Sequence, residues 1–308
     1  MMISYLLGKQ IAAMLLMVFM GFAIVRMKLL SAQDSRVLSA VALYIICPCM
    51  MLDAYQLDCT PERMQGLILS LAAAAFALGI GIVINLLIKK PLALDPVEQT
   101  SALYSNSGNL IIPIVVYVFG QEWVLYTTGF LVMQTILFWT HCSTVLQQNP
   151  KISLLRILTN INMLAVFLGA AMFLLDMRLP EVPALAVHAV GVMIGPLCMI
   201  VTGMLIGSMD FGRFRQYRKL PLIVALRLIF YPLVTLVAFR LSGMSGWVEN
   251  GETIIMISFF AASAPVASSI TQMAHIYGRD AEYASVINVV STLLCVFSMP
   301  AMAWLFQI

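Results

Sequence analysis

The chain has 308 residues, of which 62% are hydrophobic and 10% are charged, and its formal net charge at pH 7 is +3. A mean hydropathy of +0.98 excludes an ordinary soluble globular protein. The small positive charge gives no reason to expect a nucleic-acid partner. The six cysteines lie mostly in apolar segments, where we expect them to pack as small hydrophobic side chains. We predict no metal site and no cofactor.

Long apolar segments recur along the whole chain. A helix needs roughly 20 apolar residues to cross the ~30 Å hydrocarbon core of a bilayer. Two short segments, seven long ones without a charged residue, and one interrupted only by Arg227 fit this requirement. In chain order they are residues 10–25, 37–52, 66–88, 100–121, 123–150, 157–175, 182–209, 220–239, 253–275 and 283–308. We therefore predict an all-α integral membrane protein with ten transmembrane helices in a lipid bilayer.

The basic residues alternate between the loops. Twelve of the seventeen Lys and Arg residues fall in the first, third, fifth, seventh and ninth loops, and four fall on the opposite side. Positively charged loops stay in the cytoplasm. The sequence therefore predicts that both termini lie outside, in a multi-pass protein of the plasma membrane.

The two halves of the chain are predicted to be inverted repeats. A cytoplasmic linker at residues 147–151 separates five spans in residues 1–146 from five in residues 152–308. Because five is odd, the second half must enter the membrane in the opposite direction to the first.

Interruptions at matching positions support this division. The second span of each half contains Pro48 or Pro196, and the fourth contains a polar break ending at Pro113 or surrounding Pro265. The members of these pairs lie 148 and 152 positions apart. Paired interruptions are typical of inverted-repeat membrane transporters. A single proline can instead cause a simple helix kink.

The break in the fourth span reads "YSNSGNLIIPI", residues 104–114. Unwound backbone at membrane depth is tolerated where protein or a water-filled cavity surrounds it. We therefore predict that the fourth and ninth spans are discontinuous helices that meet near the bilayer midplane. The N-termini of their half-helices would present free N–H groups and positive dipole ends to an anion.

These segments also resemble a known family. "NSGNLIIP" (106–113), "APVASSITQMAHIYG" (264–278) and "ASVINVVSTLLCVFSMP" (284–300) are similar to the auxin efflux carrier family. "LYIICPCMML" (43–52) and "LRLIFYPL" (226–233) resemble its other recurring stretches. The family includes bacterial dicarboxylate carriers and the plant PIN-FORMED auxin exporters, and the resemblance covers essentially the whole chain.

The resemblance implies a bacterial inner-membrane carrier with ten spans and the fold of sodium/proton antiporters and bile-acid sodium symporters. It implies an organic-anion substrate at the crossover of the broken helices. By position, Asn106, Asn109 and Pro113 fall on the first crossover segment and Pro265 on the second. The long cytoplasmic loop of many plant members is missing, so the resemblance implies nothing about auxin itself.

Amide and hydroxyl side chains near the breaks are the candidate substrate contacts. Asn106 and Asn109 could donate to a carboxylate, or could satisfy backbone groups freed by the break. Ser263 and Ser268 flank the second break and could bond either to substrate or to their own helix. Gln134, on the fifth span, is costly there without a partner and is a candidate to line the site.

Two charged residues are candidates for supporting or coupling roles. Arg227 lies inside a span, from which it could extend to the cytoplasmic surface, face the substrate path or bind a helix C-terminus. Asp53 lies at a span edge and could be a loop cap. The long uncharged spans contain no carboxylate, which argues against cation/proton exchange as the main activity.

We therefore expect a secondary transporter of a small organic anion, such as a dicarboxylate or an auxin-like carboxylate. The alternatives are a sodium- or proton-coupled symporter of another small organic solute and an anion channel. An enzyme is not expected, because no pair of catalytic groups and no metal-ligand spacing occurs within the spans. The substrate, the direction of transport, the coupling ion and a homodimeric state are left open by the sequence.

Overall fold

The computed structural model describes residues 2–31, 33–147, 159, 161–208 and 216–308. Of the predicted linker 147–151, only Gln147 lies among them. The described residues are almost entirely helical and include no β-strand beyond one isolated bridge. The helices of the first half are α1 (Met2–Arg26), α2 (Asp34–Val41), α3 (Cys47–Ala54), α4 (Pro61–Ile88), α5 (Pro96–Leu103), α6 (Ile111–Val118), α7 (Val124–Leu137) and α8 (Ser143–Leu146). Those of the second half are α9 (Ile161–Leu174), α10 (Glu181–Gly191), α11 (Ile194–Ser208), α12 (Leu220–Ala225), α13 (Tyr231–Ser242), α14 (Gly251–Ser263), α15 (Ser268–Ile276) and α16 (Ala281–Gln307).

Local signals in the sequence explain where several helices begin and end. Thr60 accepts the N–H of Arg63, and Pro61 follows it at the first helical position, so α4 begins there. Asp95 and Glu98 form a capping box around the start of α5. The last turn of α13 ends at Gly243, whose φ of 65° is favoured only for glycine.

Within the part of the chain that the structure describes, six helical stretches are long and apolar enough to cross a membrane. They are Val37–Ala54, Pro61–Ile88, Gln121–Leu146, Glu181–Ser208, Leu220–Ser242 and Ala281–Gln307. Three shorter apolar helices cover Ala12–Arg26, Ile161–Leu174 and Gly251–Ser263. Large apolar side chains such as Leu241 (82% exposed) and Val182 (76% exposed) lie on the outside, where hydrocarbon is the favourable solvent. The chain is an integral membrane protein built from helices.

Prolines interrupt the second span of each half in two different ways. A π-helical turn, Ala42–Ile46, precedes Pro48 within an otherwise continuous span. In the second half, α10 ends at Gly191 and α11 begins two residues before Pro196. Both prolines therefore lie at local irregularities in spans that continue past them, which is the structure expected of a proline kink.

The described helices pack in two sets. In one set α1 runs along α11, and α3 packs against α9 and α10. In the other set α4 packs against α7 and α14, and α15 packs against α16. The broken pairs α5–α6 and α14–α15 belong to the second set, and α6 contacts α1 of the first. The breaks therefore lie beside the boundary between the two sets.

Candidate functional site

The breaks in the two discontinuous helices contact each other directly. Ser105 and Val266 form an isolated antiparallel bridge. The N–H of Asn106 donates to the carbonyl of Pro265 at 2.7 Å, and the N–H of Ala267 donates to the carbonyl of Tyr104 at 3.1 Å. Unwound backbone from one helix thus satisfies unwound backbone from the other, which is the condition for its burial in a membrane.

Gln134 stabilises the first break. Its Nε2 donates to the carbonyl of Ser105 at 2.8 Å and to Oγ of Ser107 at 3.1 Å. Its Oε1 accepts from Oγ of Ser105 at 2.8 Å and from the Ser105 N–H at 3.3 Å. The Gln134 side chain, which would be unfavourable on α7 without partners, therefore has hydrogen-bond partners for both its oxygen and its nitrogen. Its contacts are to the backbone and side chains of the break.

Two side chains of α16 stabilise the second break in the same manner. Nδ2 of Asn288 donates to the carbonyl of Val266 at 2.6 Å, and Oγ of Ser291 accepts the Val266 N–H at 3.1 Å. Ser291 was not among the candidate residues that the sequence indicated. Serine within a helix usually bonds its own backbone, so its partner in another segment cannot be read from spacing.

Arg227 joins the C-terminal ends of both upstream half-helices. It lies in the π-helical turn Leu226–Phe230 and is only 2% exposed. Its Nη1 donates to the carbonyl of Leu103 at 2.9 Å, its Nε donates to that of Ala264 at 2.8 Å, and its Nη2 donates to that of Ala262. The interpretation that Arg227 extends to the cytoplasmic surface is wrong. Its charge lies at two negative helix ends, and no carboxylate among the described residues pairs with it.

The polar side chains predicted to contact substrate are near the breaks and have unused hydrogen-bonding capacity. Asn106 is 8% exposed and Asn109 is half-buried, and neither side-chain amide has a hydrogen-bond partner among the described residues. Oγ of Ser263 is buried without a partner. Ser268 is the half-buried first residue of α15. These are the donors that the backbone pairing leaves free, and their contact with a substrate stays a prediction.

A cavity of about 260 Å³ opens beside α6, the half-helix that follows the first break. Most of its wall is apolar and comes from α1, α3, α6 and the junction of α10 with α11. Its polar contributions come from Gln10, Asp53, Tyr117 and Gln121. The lining residues are Gln10, Met14, Met17, Met50, Asp53, Ile112, Pro113, Val116, Tyr117, Gln121, Gly191, Val192, Ile194, Gly195 and Pro196. The cavity therefore spans the boundary between the two helix sets.

Pro113 lines this cavity but does not cause the break. α6 already begins at Ile111, so Pro113 is its third residue, where a helix has no N–H bond to lose. The unwound segment lies upstream, between Leu103 and Ile111. A Cβ on Gly195 would lie 2.4 Å from Cγ of Pro113, so the proline packs directly against α11. Pro265, by contrast, is buried within the second break.

Asp53 lies at the end of the cavity near the loops. It belongs to α3 and is not a loop cap, which corrects that interpretation. Its Oδ2 accepts from Nε2 of Gln121 at 3.0 Å and lies 2.9 Å from Nδ1 of His188. Three segments distant in sequence therefore meet at one carboxylate oxygen.

The crossed breaks and the adjoining cavity agree with a comparison of the sequence with known families. A model of the membrane transport protein family, which includes the auxin efflux carriers, matches residues 7–153 and 146–303. The chain belongs to this family. A search of curated proteins finds no significant match. The membership confirms the resemblance read from the sequence, and this is a family of membrane transporters and not of enzymes.

This membrane transport protein also contains a buried carboxylate that the sequence analysis missed. Glu98 on α5 is 4% exposed, and its carboxylate accepts from the hydroxyl of Tyr283 at 3.2 Å and from Nζ of Lys219 at 3.3 Å. It also accepts the N–H of Asp95 at 2.9 Å. Burial raises the pKa of the Asp95 carboxyl, while the N–H of Glu98 acts in the opposite direction. The sequence signal was the capping box at the start of α5, which places Glu98 just before the uncharged run.

Proposed function

We propose that the protein is a secondary transporter that moves a small organic anion across the bacterial inner membrane by alternating access. The observation that carries this proposal is the pairing of two broken helices beside a cavity at the boundary between two helix sets. Discontinuous helices that meet at membrane depth are the usual binding element of secondary transporters. Membership of a membrane transport family supports the same conclusion.

The proposed architecture has ten transmembrane segments in two inverted repeats, residues 1–146 and 152–308, joined by residues 147–151. Six long helical stretches, three shorter apolar helices and the broken pair α5–α6 supply ten segments. The broken pair α14–α15 then occupies the same position in the second repeat as α5–α6 does in the first. Both termini would lie outside the cell, as the loop charges predict.

A bound carboxylate would be held by neutral donors. The candidates are the amides of Asn106 and Asn109 and the hydroxyls of Ser263 and Ser268, together with the free N–H groups that begin α6 and α15. Arg227 would act indirectly, because its guanidinium is occupied by helix carbonyls. Gln134 would also act indirectly, by stabilising the conformation of the first break. In a site with little water, neutral donors bind an anion less strongly than a direct ion pair would. Weaker binding suits a substrate that must be released.

Two alternatives remain as second candidates. A sodium- or proton-coupled symporter of another small organic solute would use the same crossover. The carboxylate of Asp53 at the cavity is the observation that favours a coupled mechanism. An anion channel would need an open pathway through the crossover of the paired breaks.

A ligand screen tests the proposal. Purified protein is heated with malate, malonate and indole-3-acetate, each with and without sodium and at two pH values. A ligand that binds only the folded protein raises its apparent melting temperature with concentration. We expect at least one carboxylate to do so, and less in Asn109→Ala. A melting temperature that no carboxylate changes would contradict an organic-anion substrate.

A further inference from the structure

The charge balance of the cavity sets a condition on any anion that enters it. Asp53 is the one carboxylate among the lining residues, and none of them is Lys, Arg or His. An ionised carboxylate repels an anion in a confined site of low polarity, where charges interact more strongly than in water. An anion therefore binds here more favourably when the charge of Asp53 is neutralised.

His188 is placed to provide this neutralisation. Its Nδ1 lies 2.9 Å from Oδ2 of Asp53, and its side chain is 53% exposed, compared with 14% for Asp53. An ionised carboxylate accepts hydrogen bonds only, so Nδ1–H is the donor and Nε2 is left to take a proton. No described residue hydrogen-bonds to that Nε2. Protonation changes the net charge of the pair from −1 to zero.

The surrounding charged groups leave this pair as the local proton acceptor. Gln121, the other partner of Asp53, is neutral. Its neighbour Glu122 pairs with Arg63 at 3.7 Å, so these two charges largely cancel. Other ionisable groups on the adjoining elements include the Cys47 and Cys49 thiols on α3, the Tyr117 phenol on α6, Glu181 at the start of α10, and Lys9 and Arg26 on α1.

We propose that Asp53 and His188 form a proton-binding site that couples a proton to the transported anion. This inference rests on the proposed function and adds its coupling ion. One proton from the outer medium adds to Nε2 of His188, the anion then enters the cavity, and both cross together, with no net charge when the anion carries a single negative charge. Release of the proton on the other side restores the negative pair, which favours release of the anion.

Proton-linked binding has a measurable size and sign. Removing one unit charge roughly 10 Å away, at an effective dielectric constant of about 20, strengthens anion binding roughly tenfold. By linkage, the anion must increase proton affinity by the same factor. Affinity therefore rises as the pH falls, and binding of the anion takes up protons from the buffer.

Calorimetry with indole-3-acetate and malate as probes tests this site at about pH 6 and about pH 8. Buffers of different ionisation enthalpy report proton uptake. We expect the unmodified protein to bind a probe roughly tenfold more tightly at the lower pH. Asp53→Asn should bind at the higher pH about as tightly as the unmodified protein does at the lower one, because the negative charge of Asp53 is absent at both pH values. His188→Gln keeps a hydrogen-bond donor to Asp53 but takes no proton, so it should bind weakly at both. His275→Gln, an exposed histidine on α15, is the matched control and should keep the full pH dependence.

The outcomes separate this inference from the proposal on which it rests. Binding of a probe without pH dependence or proton uptake overturns the coupling site alone. Failure of both probes to bind at either pH overturns the organic-anion function and the coupling site together. Melting temperatures are measured first, and if His188→Gln is unfolded, the Asp53→Asn result decides.

Discussion

At the scale of single residues, Arg227 links the C-terminal ends of α5 and α14 by hydrogen bonds. A guanidinium presents donors in a planar fork and can serve three carbonyls on two helix ends at once. The sequence identified Arg227 as unusual, because it is a cation within an apolar span. The sequence could not show whether the guanidinium of Arg227 lies at the membrane surface or at a helix end, because a long flexible side chain can reach both.

The role of Arg227 predicts the behaviour of a lysine variant. Arg227→Lys keeps the charge but gathers its donors on one nitrogen, which cannot reproduce the spread of Nε, Nη1 and Nη2 over three carbonyls on two helix ends. We expect a lower melting temperature and transport nearly as poor as in Arg227→Ala, since each hydrogen bond to a charged group contributes about 1.5–3 kcal/mol. Near-normal uptake by the lysine variant, measured in cells or liposomes, would contradict this role.

Asn109 and Gln134 should respond differently to truncation. Asn109 has no partner among the described residues, so Asn109→Ala should leave the melting temperature unchanged. It should weaken carboxylate binding about ten- to a hundredfold for each lost bond to the charged group. Gln134→Ala removes four hydrogen bonds to the break and should lower the melting temperature.

Both quantities are measured on the same preparation of each variant. A lowered melting temperature with unaltered affinity in Asn109→Ala would remove Asn109 from the binding site. It would indicate instead that Asn109 supports the backbone, which is the other role that its amide can perform.

At the scale of helices, α1 and α11 pack so closely that side chains are excluded between them. A Cβ on Gly203 would lie 1.9 Å from the carbonyl oxygen of Val18, and one on Gly21 would lie 2.0 Å from that of Ile200. Small residues at such contacts bring backbones together, which is the main source of helix association in membranes. Gly203 and Gly207 have the four-residue spacing of this packing mode.

An alanine substitution at this contact tests the packing. In Gly203→Ala the new methyl group meets backbone on α1, so the helices must move apart, and we expect a loss of roughly 1–3 kcal/mol in stability. Gly79→Ala on α4 is the matched control, because a Cβ there meets nothing within 4 Å. It should be neutral or stabilising by up to ~1 kcal/mol, the gain in helix propensity. Equal melting temperatures for the two variants would contradict the close packing.

The helix breaks illustrate how far the sequence can predict such elements. Polar runs within apolar segments located both breaks, because such side chains are unfavourable in a lipid-facing helix. The sequence predicted that the two broken helices meet, but it could not predict which backbone groups would hydrogen-bond to each other, since that depends on how the helices cross. It also gave too much weight to Pro113, because a proline is equally acceptable within the first turn of the next half-helix.

At the scale of the whole molecule, the loop charges predict that Ile308 lies outside the cell. Alkaline phosphatase fused after Ile308 is active only when exported, and a cytoplasmic fluorescent protein fluoresces only when retained. We expect an active phosphatase fusion and a dark fluorescent-protein fusion. The reverse pattern would contradict both the proposed orientation and an even number of spans with the N-terminus outside.

The cavity residues could be predicted from the sequence only in part. Asp53 and Pro113 were candidates, whereas Gly195, Gln121 and His188 were not recognised as their neighbours. These residues come from segments more than 60 positions apart, and no periodic pattern links such segments. Isolated histidines within apolar segments give no sign of their partner.

Uptake by purified protein in liposomes tests the central claim, transport of an organic anion by alternating access, most directly. Labelled malate or indole-3-acetate is added outside, with and without the same unlabelled compound inside. We predict that uptake is saturable and that the internal compound accelerates it. In alternating access, a binding site that faces inward can bind the internal compound and return outward with it. Uptake that rises linearly with concentration and ignores the internal compound would indicate a channel. No uptake of any organic anion above that of empty liposomes would contradict the proposed function.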